Sequence, residues 1–365
     1  MEEAYEVDFL PVGNGERSGD AICLRYGTPG NYKVMVYDGG TKESGQQLVD
    51  HIVKHYSSSH VDYVVCSHPD ADHASGLSVV LENLTVGELW MHRPWQHSAV
   101  IRDYFKDGRI TDSSLAERLK EKMAAAYALE ELADEMRIPI YEPFQGAAIG
   151  AFHVMSPEKN WYIHTLIPDF AKSPEKKEAM DAANPLLKAL FASVKETIAN
   201  VAETWGIETL REDVSTSAEN ESSVVLYGVV ANRGILLTGD AGIQALGNTA
   251  SYAESHGLTL PDVLKFAQVP HHGSRNNVSP SVLDRIIGPK TTNPSADKRI
   301  TTFVSAAKES DTHPRKMVVN GFLRRGAYVI ATKGQSIWHH FNMSPRKDWG
   351  PLDSLPFSTE VESWD

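Results

Sequence analysis

Apolar positions follow two different periods along this chain, and the change between them divides it into parts. YEVDFLPV, AICLRYG and KVMVYDGG are short, β-branched and aromatic, and the glycine-rich turns GNGERSGD and TPGN separate them. They predict three strands. A helix is expected over residues 45–56, followed by VDYVVC (61–66) as a buried strand and GELWMHRP (87–94) as the next. The period then lengthens. Ser114-Leu-Ala-Glu117 reads as a capping box, and Leu115, Leu119, Met123 and Tyr127 share one face of a helix running to about Arg137. A strand-like piece, AAIGAFHVM (147–155), interrupts the helical region. A second helical stretch follows Pro185, with Leu187, Phe191, Val194, Ile198, Val201 and Trp205 at helical spacing and Gly206 as its stop. These stripes read as core or lid packing, and the intervening AKSPEKKEAM as solvated helix or loop.

From Ser222 the strands return. SSVVLYGVV and ILLTGD flank ANRG, a hairpin with glycine in its turn. A helix near Ala250, VLKFAQVP, a helix over 280–287, TTFVSAA, a helix over 314–324, AYVIAT and QSIWHHF complete the series. Strands alternating with helices, twice over, predict helices packed outside two sheets. The expected division is 1–95 and 213–345 as two halves of one sandwich, 96–212 as a mainly helical insertion with a core strand near 147–155, and 346–365 as a poorly ordered acidic tail.

The stretch SHPDADHASG, Ser67 to Gly76, directly follows the 61–66 strand. Burying His68, Asp70, Asp72 and His73 together costs several kcal/mol unless they are paired or coordinated. Carboxylate oxygens and neutral imidazoles are ligands for zinc, manganese or iron, so a cation answers that cost. A polar loop capping the next helix through Asp72 or Ser75 is the plainer alternative. Two later strand ends carry matching groups: Asp240 after ILLTG, and His271 and His272 after FAQVP. Three strand ends delivering such residues can converge on one edge of a sheet sandwich.

Composition narrows the setting. At 365 residues the chain is long for one compact domain, and 41% hydrophobic with 23% charged residues is ordinary globular composition. No basic, apolar N-terminal signal and no apolar run near membrane-spanning length is present, and two cysteines give no disulfide framework. A cytoplasmic protein without a membrane partner is expected. The net charge of −13 argues against a broad nonspecific nucleic-acid surface.

In order, His68-x-Asp70-x-Asp72-His73, Thr238-Gly239-Asp240 and His271-His272-Gly273-Ser274 resemble the metallo-β-lactamase superfamily. The nearest likeness is to the branch containing the C-terminal domain of the bacterial competence DNA-uptake channel. Val12-Gly13-Asn14-Gly15, Gly19-Asp20-Ala21 after an inserted ERS, Asp38-Gly39-Gly40, Asn220-Glu-Ser-Ser223 and His313-Pro314 fall at matching places, over about 1–95 and 213–340.

The resemblance implies an α/β protein, an αββα sandwich with a helical insertion, and one or two divalent metals, zinc or manganese. By position, His68 and Asp70 would hold the first metal, Asp72 and His73 the second, and Asp240 would bridge. His271, or His272 in its place, would complete the second site. The wider superfamily has a histidine where this chain offers Asn220. His153 is the nearest earlier histidine and reads as a core residue. An oxygen-rich site favours manganese more than an all-imidazole one.

The implied chemistry is hydrolysis by a metal-activated water, with a phosphodiesterase or nuclease favoured over a phosphocholine-type or lactone-type ester hydrolase and over a regulatory metal-binding protein. Asp72 and His313 are the catalytic candidates, the latter to protonate a leaving oxygen or bind a nonbridging one. Asn220, Ser274, Arg275, Lys308, His92 and Arg93 are candidate substrate contacts, with plain surface the alternative for Ser274, Arg275 and Lys308. His92 and Arg93 lie within the aromatic run Trp90-Met-His92-Arg-Pro-Trp95, where Trp90 reads equally as a packed anchor for the helical insertion. The helical stretches at 96–140 and 158–212 leave from strand ends and are expected to lie over the metal edge as a lid. That favours a strand end, a flexible single strand or a small nucleotide as substrate.

Overall fold

In the computed structural model, residues 2–13, 18–104, 110–172, 200–295 and 298–364 are described. In chain order the strands are β1 (Ala4–Phe9), β2 (Ala21–Thr28), β3 (Asn31–Gly39), β4 (His60–Val65), β5 (Thr85–Trp90), β6 (Ile140–Tyr141), β7 (Ala148–Ile149), β8 (Phe152–Ser156), β9 (Asn200–Ala202), β10 (Val225–Val230), β11 (Arg233–Leu237), β12 (Leu264–Gln268), β13 (Ile300–Val304), β14 (Ala327–Ala331), β15 (Ile337–Phe341) and β16 (Glu360–Glu362). One sheet runs β15-β1-β2-β3-β4-β5-β6, and the other runs β14-β13-β12-β11-β10-β8-β7. β3 to β6 are parallel, as are β11 to β14, so each half carries crossover helices on its outer face.

The main helices are α1 (Lys42–His51), α2 (Ala71–Asn83), α3 (Asp112–Lys122), α4 (Ala124–Met136), α5 (Ile243–Ser255), α6 (Pro280–Ile286) and α7 (Lys316–Arg324). Strand side chains alternate between two apolar environments. In β3, Met35 and Tyr37 enter the core between the sheets with Tyr5, Phe9, Phe266 and Phe303, while Val34 and Val36 meet α1 and α2 on the outside. Being buried on both faces, such strands read as unbroken apolar runs. α5, α6 and α7 cover the second sheet in the same way. The αββα sandwich with a helical insertion is thus the architecture of this chain.

Several local expectations change. The helix expected from Ser114 begins at Asp112, with Thr111 and Ser114 forming the reciprocal cap, and Met123 (φ −109°, ψ 41°) breaks it into α3 and α4. The hairpin turn is made by Ala231 and Asn232, both at positive φ, as a two-residue loop requires; Gly234 lies inside β11. Most of the helix expected after Pro185 lies outside the described residues, but Val201 belongs to a strand, β9, paired with β16. That pairing overturns the poorly ordered tail. Val361 is fully buried, Ser358 is held by Asn320, and the Glu362 carboxylate accepts from the Lys316 backbone N–H at 3.0 Å. An acidic residue there caps the positive end of α7, which the composition of the tail alone does not reveal.

Nor do the described helices of the insertion roof the metal edge. Leu115, Leu119, Met123, Leu129 and Ala133 join the outer cluster with Leu77, Val80 and Leu81 of α2. Each buried leucine contributes about 2 kcal/mol, so the apolar stripe is satisfied against α2. Among the described residues, no helix is long and apolar enough to cross a membrane.

His92 belongs to this layer and not to a substrate surface. Its ring stacks on Tyr162 at 4.2 Å and 25°, and neither ring nitrogen has a hydrogen-bond partner among the described residues. Burial pushes its pKa down to about 3 from the usual 6.5. A histidine neutral when folded and charged when unfolded contributes stability that is lost as pH falls from 6.5 toward about 3. His92→Phe keeps the stack without the titration. Between about pH 7.5 and about pH 5 it should lose about 2 kcal/mol less stability than the parent, measured by denaturant titration at each pH. Equal acid losses would remove this account of His92.

Candidate metal centre

The clustered residues sit where strands end and helices begin. β4 stops at Val65, and Ser67 and His68 lead to Asp70, the N-cap of α2, whose side chain makes no capping bond to its own helix. Asp72 and His73 occupy the first turn. A glycine contact sets this geometry: a Cβ on Gly76 would lie 1.9 Å from the Gly39 carbonyl oxygen, and the Gly76 N–H donates to Gly40 O at 2.8 Å. α2 therefore docks against the end of β3, beside Asp38.

From the second sheet, β11 delivers Asp240 and β12 delivers His271 and His272. Both histidines have left-handed backbones (φ 45° and 55°), and their rings stand 89° apart. Two such non-glycine residues in succession cost about 1 kcal/mol or more each, strain of the kind held at functional sites.

Four imidazoles surround one carboxylate. Asp240 Oδ2 lies 3.8 Å from His68 Nε2, 3.5 Å from His73 Nε2 and 3.6 Å from His271 Nε2, and Oδ1 lies 3.8 Å from His272 Nε2. Asp70 Oδ2 is 3.8 Å from His68 Nε2. These gaps exceed a good hydrogen bond, and the buried His68 Nε2, His73 Nε2 and Asp240 Oδ1 have no such partner among the described residues. They approach the roughly 3.4 Å that separates two ligands of one tetrahedral ion about 2.1 Å away. Asp72, His73 and His272 group within 4.8 Å, as do Asp20, His73 and Asp240. The donor set fits one or two divalent cations. Both His271 and His272 reach Asp240, and His272 is the one grouped with Asp72 and His73.

Surrounding polar groups fix these side chains. Asp38 accepts from Ser67 N (2.7 Å) and Ser67 Oγ (2.5 Å) and meets His73 Nδ1 at 2.9 Å. Asn220 Nδ2 lies 2.9 Å from His271 Nδ1. Ser223 Oγ accepts from Asp240 N, and Asn277 Nδ2 donates to Asp240 O. Burial works to raise the Asp240 pKa, but the charges of His271, His73 and His272 hold it well below the carboxylate range. Burial alone lowers His73, yet Asp240 and Asp38 raise it well above the ordinary histidine value. His272 is pushed down to about 3, chiefly by burial.

The centre opens on a cavity of about 320 Å³ lined by Ser18, Asp70, Asp72, Ser217, Asn220, Asp240, His271, His272 and His313. Of the candidate substrate contacts, Asn220 and His313 line this cavity. Other candidates are elsewhere. Arg93 is half-buried and donates to Glu130 in α4 at 3.4 Å. Ser274 is buried and its hydroxyl accepts from Asn276 N. Lys308 is exposed with its stem against Gly334, and Arg275 stacks on Trp364 at 4.5 Å. His153 is exposed on β8 and is not a core residue. Asp20, Asp38, Ser67 and Gln268 receive no role from the sequence. Gln268 does carry a signal there, as a polar residue closing an apolar strand.

Residues 17–115 match the family model described as the Metallo-beta-lactamase superfamily. No curated protein matches the chain. Among solved structures, it resembles the metallo-beta-lactamase SMB-1 bound to 2-mercaptoethanesulfonate (9% identity, TM-score 0.30, 77% of this chain and 86% of that one). It also resembles the hydrolase AbOPH of the beta lactamase superfamily (10%, 0.33, 72% and 75%) and the metallo-beta-lactamase fold protein YhfI from Bacillus subtilis (8%, 0.30, 78% and 95%). Likenesses of that size carry no inference about activity.

A bound ion stabilises only the folded state. Adding Zn²⁺ or Mn²⁺ to chelator-stripped protein at about 100 times its Kd should raise the unfolding free energy by about 2.7 kcal/mol. Asp240→Ala should abolish that gain while remaining folded. A parent indifferent to both metals in denaturant titration would remove the centre described here.

Proposed function

We propose that this protein is a metal-dependent hydrolase of phosphodiester bonds, acting on a small nucleotide or on the end of a nucleic-acid strand. The observation that carries the reading is the mixed carboxylate and imidazole cluster at the wall of a cavity, with His313, Asn220, Ser217 and Ser18 as its uncharged rim. The order of motifs resembling the competence-channel branch supports it further.

A divalent cation held among His68, Asp70, Asp72, His73, Asp240, His271 and His272 supplies Lewis acidity and a water of lowered pKa. The chain's own groups orient the substrate. Among the described residues no lysine or arginine lines the cavity, and the net charge is −13, so a long polyanion finds no basic path there. A single diester entering about 320 Å³ meets only neutral donors beside the centre.

His313 takes a hydrogen-bonding role in this reading. Burial, then Arg315 and His271, push its pKa down to about 4, so it is neutral near pH 7. Its Nδ1 lies 3.0 Å from Thr312 Oγ1, which leaves Nε2 for the cavity. A neutral imidazole donates one N–H to a nonbridging oxygen and is a poor proton donor to a leaving group.

The same absence of cations favours a second reading, hydrolysis of an uncharged ester such as a lactone. A panel of bis-p-nitrophenyl phosphate, cyclic dinucleotides, single-stranded DNA, closed circular duplex and a lactone, each with Mn²⁺ and with Zn²⁺, separates the two. Turnover of small diesters and strand ends, with closed circles cut far more slowly, is the expected pattern. Cleavage of the lactone alone would replace the phosphodiesterase reading. His313→Ala should retain metal and lower kcat by roughly 10²-fold, and His313→Asn, which keeps an N–H, should recover part of it. Loss of metal in His313→Ala would show that the residue belongs to the centre and not to the substrate wall.

A further inference from the structure

Gln268 closes β12 two residues before Pro270 and is buried. Both ends of its amide are committed. Oε1 accepts from the backbone N–H groups of Thr238 (2.8 Å) and Gly239 (3.0 Å), the two residues leading to Asp240. Nε2 donates to Asp20 Oδ2 at 2.7 Å, and that oxygen faces His73 Nδ1 at 3.8 Å. Only one orientation of the amide satisfies this arrangement, because the two peptide N–H groups need Oε1 as acceptor, which turns the Nε2 donor toward Asp20.

Asp240 and His73 belong to opposite halves of the sandwich, yet their side chains must hold a separation of 3.5 Å. We infer that Gln268 is a positioning residue for the metal centre, a strut tying the turn that presents Asp240 to Asp20, whose carboxyl packs beside His73. The inference rests on the metal-centre reading above. Groups of this kind around metal ligands alter affinity by roughly 10–100-fold when removed. A leucine here would strand two peptide N–H groups and a carboxylate in the interior. A glutamate keeps the two acceptor contacts and loses only the donor to Asp20.

That difference supplies a test in which the hydrogen bond can be reversed. Gln268→Glu removes the donor to Asp20 and leaves two carboxyl groups facing each other, and Asp20→Asn replaces the accepting carboxyl by an amide. The double variant Asp20→Asn/Gln268→Glu lets the amide introduced at position 20 donate to the new carboxylate and keeps the contacts to Thr238 and Gly239. Metal affinity is read by chelator competition, ligand geometry by the visible spectrum of the Co²⁺ form, and the fold by thermal melting without metal. Gln268→Glu should lose roughly 10–100-fold in metal affinity, with an altered Co²⁺ spectrum and a kcat that falls more than KM changes. The double variant should regain most of the affinity and the parental spectrum. Unaltered affinity and spectrum in folded Gln268→Glu, or a double variant no better than the worse single one, would overturn the strut. If Gln268→Glu fails to fold, the double variant decides alone: near-parental affinity supports the strut and lost affinity overturns it. A parent that binds no metal sinks the metal centre itself. A parent that binds metal but cleaves no phosphodiester sinks only the proposed substrate, and the affinity comparison still stands.

Discussion

Asp240 is a buried carboxylate crowded by four imidazoles, and the rest of the structure is arranged around the cost of that crowding. Desolvating one carboxylate costs several kcal/mol, which the imidazoles offset either as charged partners, as His73 does, or by turning their lone pairs on a shared cation. The distances of 3.5–3.8 Å are too long for good direct hydrogen bonds and suit a common ion. Three strand ends must therefore meet within a few ångströms, although they come from two sheets. Glycine at 39 and 76 lets α2 approach β3, and the paired left-handed residues at 271 and 272 splay two neighbouring rings onto opposite oxygens of Asp240.

Rigidity comes from the polar groups behind these ligands. Asp38, Ser67, Ser223, Asn277 and Gln268 each commit hydrogen bonds to holding a ligand or the turn that carries it. In a low-dielectric interior such bonds are strong and an unpaired member is costly, so the network has one arrangement. The cavity then inherits fixed walls: a neutral His313, an Asn220 anchored to His271 and Thr216, and a half-exposed Asp70.

Much of this is legible in the residues. The change from alternating to helical spacing separates strands from helices, and each strand-end cluster announces its own chemistry because two histidines and two aspartates rarely crowd one strand end without reason. What stays hidden depends on contacts across the fold. Nothing local to Trp90-Met-His92-Arg-Pro-Trp95 says that His92 turns into a helical layer against Tyr162 and that Arg93 meets Glu130. The acidic tail reads as solvated because the helix end that Glu362 caps lies 46 residues earlier in the chain. The insertion's stripe does read as packing, but periodicity carries no information about which surface receives it.

The partnership of β1 with β15 places the first strand and the last strand of the first sheet side by side, with Tyr5 opposite Phe341 and Phe9 opposite Ile337. During synthesis at the ribosome, β1 therefore presents an open edge until the chain has grown past residue 341. An unpaired edge on an otherwise formed sheet is a template for another chain. Glu6 and Asp8, which Arg346 neutralises in the finished protein, stand unpartnered by that arginine on this same strand in the interval. Arg25 of β2 already reaches Glu6, so Asp8 is the carboxylate that still lacks its arginine while this edge is open.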